Sequence, residues 1–307
     1  MLTFFKALMT RLVHFRSLYK SNFSVKFIHE GNTVVQLPRS SLFDALTGRG
    51  YTLSRSISYF HRPSSEALLR RVIYGLYADG YIPADKSIID IGSWIADNSI
   101  IWSKQLKEGG YVFAIDPSPE NQSYGQKVAF LNDVSNIKFI EAVCTENEGE
   151  KLDFEGDLGH TSFYKKPLDG KIVSTTLDTI IANSGNPSIG LLHVDVEGLE
   201  FSVLKGASKI IKNDLPIISF EQHISQEDIY KVTNFLREFG YRVFMVNEVL
   251  PGCSLDCRNF LAFHSSKKVP NVIEFEQKNA SSMGIYSAIV GESLIELDLK
   301  SKESVLN

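Results

Sequence analysis

The sequence predicts an α/β protein in which a mostly parallel sheet of seven strands carries helices on both faces, and three observations support that prediction. Between Ser87 and His264 short apolar runs alternate with helical segments, the pattern of a parallel sheet buried on both sides. The first run, Ser87 to Ile91, passes through Gly92 into a helical segment, as the first strand of a doubly wound fold does. The second, Tyr111 to Asp116, ends in a carboxylate just before Pro117-Ser118-Pro119-Glu120 opens another helix.

Residues 1–86 read as an N-terminal extension of helical and hairpin pieces. From Met1 to Tyr19 the chain is rich in Leu, Phe, Met and Val, carries Lys6, Arg11 and Arg16, and has no acidic residue before Glu30. If helical, it places Phe5, Leu8, Leu12, Phe15 and Tyr19 on one face. That face suits docking on the domain or a partner, contact with a membrane surface through residues 1–20, or an organelle-targeting peptide. Its interspersed charges argue against a secretory signal, and no apolar run in the chain reaches the roughly 18 to 20 residues that span a bilayer. Lys26 to Leu37 reads as a hairpin around Gly31-Asn32, and Pro38 to Pro63 as a loop-rich connector. A helix follows, capped by Ser64 or Ser65, with Leu68, Leu69, Val72, Ile73 and Leu76 at helical spacing and an end near Asp79-Gly80.

Residues 87–264 form the main domain. Its strands are Ser87 to Ile91, Tyr111 to Asp116, Ile137 to Val143, Gly190 to Val196, Ile217 to Glu221, Arg242 to Val246 and Phe260 to His264. Helices are expected at Ile95 to Lys107, Glu120 to Leu131, Thr176 to Ala182, Glu200 to Lys212 and Gln226 to Phe239. The alternating Leu152, Phe154, Phe163 and Tyr164 predict a β-hairpin inserted within Gly149 to Val173. The tail, residues 265–307, has β-like pieces at Val272 to Phe275 and Leu294 to Leu299 and no assignable role.

With 43% hydrophobic and 22% charged residues, the composition is that of a soluble globular protein, and a net charge of -4 gives no global positive field for a nucleic acid. Three cysteines are too few for a disulfide framework and fit a reducing, cytoplasmic setting. Cys253 and Cys257 read as incidental loop thiols, the alternative being half of a zinc site whose other ligands do not stand near in sequence.

The turn after the first strand, Asp90-Ile91-Gly92-Ser93-Trp94-Ile95-Ala96-Asp97-Asn98, holds one glycine where a tight turn must let a ligand approach the backbone. A full G-x-G-x-x-G is absent, which argues against a nicotinamide-dependent oxidoreductase. Asp116 stands 24 positions after Gly92, where an acid accepts hydrogen bonds from ribose hydroxyls; the plainer reading is a cap on the following helix. Jointly the two point to a nucleoside-bearing ligand.

Ser87 to Asn98, Ala114 to Asn121 and above all Leu192-His193-Val194-Asp195-Val196-Glu197-Gly198-Leu199-Glu200, continuing through Val203-Leu204-Lys205-Gly206-Ala207, resemble the FkbM-type S-adenosylmethionine-dependent methyltransferases. Thr176-Leu177-Asp178 and Pro216 to Glu221 match the same pattern. The resemblance implies a Rossmann-like class I methyltransferase fold with an antiparallel last strand, and O-methylation of a hydroxyl on a sugar, glycan or small polar metabolite. It implies cofactor binding at Asp90, Gly92, Trp94 and Asp116, and at Ala142 and Val143 where the third strand ends. The family pattern Asp-x-Gly-Ala-Asn-x-Gly is broken here by Trp94 and Ala96 in place of its last Asn and Gly. Ala96 reads as a mild change, because that position governs helix packing; Trp94 either stacks over the cofactor or narrows its pocket, the latter leaving a cofactor-fold binding protein without turnover as the alternative function.

Transfer of a methyl to a hydroxyl needs the acceptor held in line and its proton removed. Asp195, Glu221 and His223 stand at the carboxyl ends of central strands, where such groups belong. The assignment makes Asp195 a cofactor or acceptor ligand and Glu221 or His223 the proton acceptor, His being suited to base work near neutrality. The bland readings are an exposed loop histidine and a carboxylate holding a loop. A divalent ion on these three side chains is a less favoured alternative, so no metal ligand is assigned. Glu197 and Glu200 read as structural, and His160-Thr161-Ser162 as a hairpin turn or as a border of the same mouth.

Overall fold

Ser87–Ile91 forms a strand (β3) whose five residues are all buried, and its alternation sends Ile88 to one apolar cluster and Ile89 to the other. This strand is the middle of the domain. The structure, a computed structural model, describes residues 23–26, 34–37, 66–157, 160–165, 172–223, 228–248, 257–270 and 294–297. The readings placed on residues 1–20, the connector, Ser64 and Ser65, Cys253 and Val272 to Phe275 lie outside the described residues.

Ahead of β3 come an antiparallel pair, β1 (Phe23–Lys26) and β2 (Val34–Leu37), and helix α1 (Ala67–Ala78). After it follow α2 (Asp97–Ser103), β4 (Val112–Ile115), α3 (Pro119–Leu131) and β5 (Ile137–Ile140). The insertion is β6 (Lys151–Asp157), β7 (His160–Lys165) and β8 (Ile172–Val173), a three-stranded sheet in the order β7-β6-β8 in place of the expected two-stranded hairpin. Then come α4 (Leu177–Asn183), β9 (Ile189–Val194), α5 (Glu200–Lys205), α6 (Ser208–Asp214), β10 (Ile217–His223), α7 (Asp228–Glu238), β11 (Tyr241–Val246), β12 (Cys257–His264) and β13 (Leu294–Glu296).

The main sheet runs β13-β11-β12-β10-β9-β3-β4-β5. The pairs among β10, β9, β3, β4 and β5 are parallel, and β12 is antiparallel to both of its neighbours. The predicted Rossmann-like sheet with an antiparallel last strand is present, and it has eight strands instead of seven. The eighth is β13 from the tail, which pairs antiparallel with β11 and is fastened by Arg242, whose Nε and Nη2 meet the two carboxylate oxygens of Glu296 at 2.7 and 2.6 Å.

Helices cover both faces. On one, α1 contributes Leu68, Leu69, Val72, Ile73 and Leu76, α2 Ile100, Ile101 and Trp102, and α3 Val128 and Ala129, against Ile88, Val112, Leu191, Ile217 and Leu261. On the other, Leu177 and Ile181 of α4, Val203 and Leu204 of α5, Ile210 and Ile211 of α6, and Val232 and Leu236 of α7 pack on Ile89, Phe113, Leu192, Ile218 and Phe260. Among the described residues no helix is long and apolar enough to cross a membrane.

Three boundaries correct the sequence reading for physical reasons. The single helix expected over Glu200 to Lys212 is two, since the backbone leaves helical geometry at Ala207 (φ -106, ψ 13); just before it the Thr145 main chain comes so close that a Cβ on Gly206 would sit 2.1 Å from its oxygen. The second piece has a cap of its own: the Asp178 carboxylate accepts from the N–H groups of Lys209 and Ile210 at 3.0 and 3.1 Å, while Thr176 Oγ1 caps α4 through Thr179 N–H. The third strand stops at Ile140, since beyond it the chain turns to pair with another segment, Thr145 N–H donating to Thr175 O and Thr175 N–H to Val143 O. Finally, the start of α1 is held by a distant residue: the carboxylate of Glu248 accepts from Leu68 N–H at 3.0 Å and Leu69 N–H at 3.2 Å.

Candidate active site

The turn from β3 into α2 is built on three residues with left-handed backbone, Gly92 (φ +77), Trp94 (φ +46) and Ala96 (φ +61). Gly92 N–H and Ser93 N–H both donate to Ile115 O, at 2.9 and 3.0 Å, which ties the turn to β4. A Cβ on Gly92 would lie 1.5 Å from the main-chain oxygen of Asp195. The glycine therefore admits the Asp195 backbone, whereas the sequence pattern alone suggests that it admits a ligand. Left-handed backbone also accounts for Asn and Gly at the last two positions of the family pattern, since these tolerate positive φ, which costs a larger residue about 1–2 kcal/mol. Ala96 is thus more than a packing position, although a Cβ on Gly125 would meet the Ala96 methyl at 3.2 Å.

Trp94 N–H donates to Asp116 Oδ2 at 3.0 Å, while Oδ1 of the same carboxylate accepts from Ser118 N–H at 2.8 Å and Asn121 Nδ2 at 3.1 Å. Asp116 is buried, and burial pushes its carboxyl up to about 6 against those hydrogen bonds. Of the roughly four acceptor positions of a carboxylate, three are thus filled by protein and one is left for a ligand hydroxyl. Next to Gly92, the Ser93 hydroxyl is buried with no hydrogen-bond partner among the described residues. Asp90 is buried and accepts from the Ser99 hydroxyl, so it fastens α2 to β3. Val143 is buried and Ala142 half-buried, past the end of β5 in the segment that pairs with Thr175.

At the carboxyl ends of the central strands the register aligns a row of polar groups. Phe220 is level with Val194, and Glu221 with Asn259, so Asp195, Glu221 and Asn259 stand level on neighbouring chains about 5 Å apart with side chains on one face. The Asp195 N–H continues the ladder to Ile91 O at 3.0 Å. Two residues earlier on that face, His193 Nδ1 lies 3.1 Å from Ser219 Oγ, and the ring packs edge-on to Trp102. Burial holds His193 down at about 4, so it is neutral and serves packing.

Burial, with the charges of Glu66, Glu197 and Glu200, pushes both carboxyls up: Asp195 goes well above the carboxylate range, the Glu221 charge adding to the effect there, and Glu221 goes to about 7, even though Cys257 Sγ donates to Glu221 Oε1 at 2.6 Å. Both residues keep part of their surface open to solvent. His223 ends β10 opposite Cys257, and its side chain lies outside the described residues, as do those of His160, Thr161 and Ser162. Glu197 is exposed in a left-handed turn, while Glu200 accepts from Val196 N–H and Gly198 N–H and binds that turn to Gln222 of β10. Among the described residues no group of three or more His, Cys, Asp or Glu could hold a metal ion.

A family model, the methyltransferase FkbM domain, matches residues 90–243, about half of the chain. The chain belongs to the FkbM methyltransferase family. The FkbM domain thus starts at Asp90 and takes in the Gly92 turn, Asp116, Asp195 and Glu221, on the strand order of a class I methyltransferase fold. The chain is similar to a crystal structure of methyltransferase FkbM from Methylobacillus flagellatus, at 18% identity and a TM-score of 0.43, over 57% of this chain and 43% of that one. It is similar as well to a precorrin-6y C5,15-methyltransferase from Geobacter metallireducens, at 15% identity and a TM-score of 0.37, over 59% of this chain and 81% of that one. An S-adenosylmethionine-dependent methyltransferase from Aquifex aeolicus matches at 13% identity and a TM-score of 0.34, over 59% and 83% of the two chains. No curated protein matches the chain.

Part of the polar row comes from outside the FkbM domain, from residues that sequence pattern does not single out. Glu66, in left-handed backbone at the start of α1, accepts from Arg70 Nη2, Asn98 Nδ2 and Asn259 Nδ2, each at 3.3 Å. Arg70 also donates from Nη2 to Asp97 and from Nε to Asn98, both at 2.7 Å. All five side chains are buried. The only signal in the sequence is an Arg on the apolar side of a helix, Arg70 standing beside Leu69, which in a buried helix requires carboxylate partners.

Proposed function

We propose that the chain transfers a methyl group from S-adenosylmethionine to a hydroxyl of a sugar, glycan or small polar metabolite. The observation behind this is the level pair Asp195 and Glu221 at the carboxyl edge of the sheet, one strand from the Gly92 turn and two from Asp116. The cofactor, when bound, supplies a methyl made electrophilic by the sulfonium. The residues present fit it: Asp116 has one acceptor position left for a ribose hydroxyl, and the Ser93 hydroxyl is buried without a partner among the described residues. Crowded carboxyls give up their protons in separate steps, so near neutrality the Asp195 and Glu221 pair holds one proton. The protonated member donates to the acceptor molecule and orients it. The charged member takes the hydroxyl proton as the oxygen attacks, and its negative charge suits a neighbouring sulfonium. The acceptor class rests on family resemblance.

Calorimetry with S-adenosylmethionine and its demethylated product tests the cofactor half: binding of either supports it, and no heat with both removes it. Incubation with methyl-labelled S-adenosylmethionine and fractionated cell extract tests the acceptor half, where label confined to protein or nucleic acid overturns the small polar acceptor. A second reading, a binding protein without turnover, draws on the Trp94 N–H that already occupies Asp116 Oδ2. Cofactor binding with no transfer to any fraction favours it.

A further inference from the structure

Cys257 reads from sequence as an incidental loop thiol, but it is the first residue of β12 and is fully buried. It stands opposite His223, and two positions further on Asn259 stands opposite Glu221, so strand alternation puts Cys257, Asn259 and Glu221 on one face. From there the thiol reaches diagonally across the ladder and donates to Glu221 Oε1 at 2.6 Å. A thiol is a weak donor and its sulfur a weak acceptor, so the contact gains most when the oxygen it meets is charged. Asp195 is in the opposite case: burial first, then the charges of Glu221, Glu197, Glu66 and Glu200, all disfavour its charged form.

We propose that Cys257, outside the FkbM domain, is a positioning residue that holds Glu221 as the charged, proton-accepting member of the carboxylate pair and so leaves the shared proton on Asp195. The thiol aims Glu221 Oε1 and stabilises its charge, and that charge in turn keeps the proton on Asp195. The acceptor oxygen then forms its bond to the methyl as the sulfur–methyl bond breaks towards sulfur, and the hydroxyl proton passes to Glu221. Protonated Asp195 donates to the acceptor molecule and orients it. The charged and titratable groups around Glu221 are Asp195 just past β9, Glu197 and Glu200 from the turn and start of α5, Glu66 ahead of α1, and Cys257 of β12. Arg70, the cation bound to Glu66, is also engaged with Asp97, and Arg258 donates to the Cys257 main-chain oxygen. The inference rests on the reading of Asp195 and Glu221 as the working pair, and of the two proton acceptors that the sequence suggests it selects Glu221.

The test is a carboxyl titration by carbon-13 NMR on the full chain labelled at the Asp and Glu side-chain carboxyls. Glu221, Asp195 and Glu248 are assigned by the resonances lost in Glu221→Gln, Asp195→Asn and Glu248→Gln. In the unaltered protein Glu221 should titrate near 7 and Asp195 at higher pH. Cys257→Ala should raise the Glu221 midpoint by about one unit, and Cys257→Ser, which keeps a donor, should not raise it. Cys257→Val replaces the alanine variant if the latter does not fold by circular dichroism. Glu248, also raised to about 7 by burial, should hold its midpoint throughout, which a general loosening of the fold would move. Asp195→Asn should leave Glu221 in place, because Asp195 is neutral while Glu221 titrates, whereas Glu221→Gln should lower the Asp195 midpoint by removing a charge. An Asp195 midpoint below that of Glu221, or a Glu221 midpoint unmoved in a folded alanine or valine variant, overturns the proposal. The titration needs neither cofactor nor acceptor. A protein that shows these shifts yet binds no S-adenosylmethionine would refute the proposed function and support the proton assignment, and one that binds it without these shifts would overturn the assignment alone.

Discussion

Gly92→Ala puts a methyl where the main chain of Asp195 already stands. The new Cβ would lie 1.5 Å from the Asp195 oxygen and 2.6 Å from its carbonyl carbon, and both are backbone atoms that no rotamer change can move. Restoring even a tight 3.0 Å contact requires about 1.5 Å of relative displacement. Displacement of that size breaks the hydrogen bonds that join the three chain segments here: Gly92 N–H and Ser93 N–H to Ile115 O, and Asp195 N–H to Ile91 O. Three such bonds are worth about 3 kcal/mol in all. The left-handed φ adds about 1–2 kcal/mol for a residue with a Cβ. The expected loss is therefore about 4–5 kcal/mol, a large part of the roughly 5–15 kcal/mol that holds a domain folded. Gly80 supplies the control, having the same φ of +77 and open space for 4 Å around an added methyl, so Gly80→Ala should cost the φ strain alone. Urea unfolding followed by circular dichroism measures both. If Gly92→Ala is no more destabilising than Gly80→Ala, the close approach of the Asp195 backbone to the first turn is wrong, and with it the reason for glycine there.

Two more predictions concern buried carboxyls. Glu248→Ala removes the acceptor of Leu68 N–H and Leu69 N–H and should lower stability by about 1–3 kcal/mol in the same unfolding assay; a loss under about 0.5 kcal/mol would mean that water caps α1 equally well. The second is a pH dependence. Asp90, Glu221 and Glu248 are raised to about 7 and Asp116 to about 6, from ordinary values of 3.8 for Asp and 4.5 for Glu. A carboxyl whose folded value is raised binds its proton more tightly in the folded state, so its contribution is full at low pH and is lost as pH rises through 6 to 7. His193, lowered to about 4 from 6.5, works the other way and costs stability only as pH falls below about 6.5. The melting temperature should accordingly rise from pH 8 to pH 6.5, and a flat or falling trend over that interval would contradict the burial of these carboxyls.

Local pattern is enough for the sheet because each strand carries its own signal. Ile88, Ile89 and Ile91 are apolar on both faces, as only a central parallel strand needs to be, and the acid ending β4 stands where the register puts it. The short β13 falls within the piece that reads as β-like, Leu294 to Leu299, but three residues say nothing of their neighbour, and only the pairing with β11 places them in the main sheet. The start of α1 shows the same limit: a serine nearby is the expected cap, but the acceptor is Glu248, 180 residues away from Leu68. Asp90 reads as a cofactor ligand because the family motif begins there. Its position within β3 also sets it under α2, where it accepts from the Ser99 hydroxyl, and strand alternation alone does not say which helix covers that face. The polar row obeys the same rule. Asp195 and Glu221 are legible because each ends a strand in a recognisable motif, whereas Glu66 and Asn259 are separated by 193 positions and meet only when α1 docks over the sheet. Spacing in sequence carries chemistry only where one element supplies both groups. Where α1 and β12 each supply one, the requirement for them surfaces as a buried atom in need of a partner, and Asn259 Oδ1 is that atom.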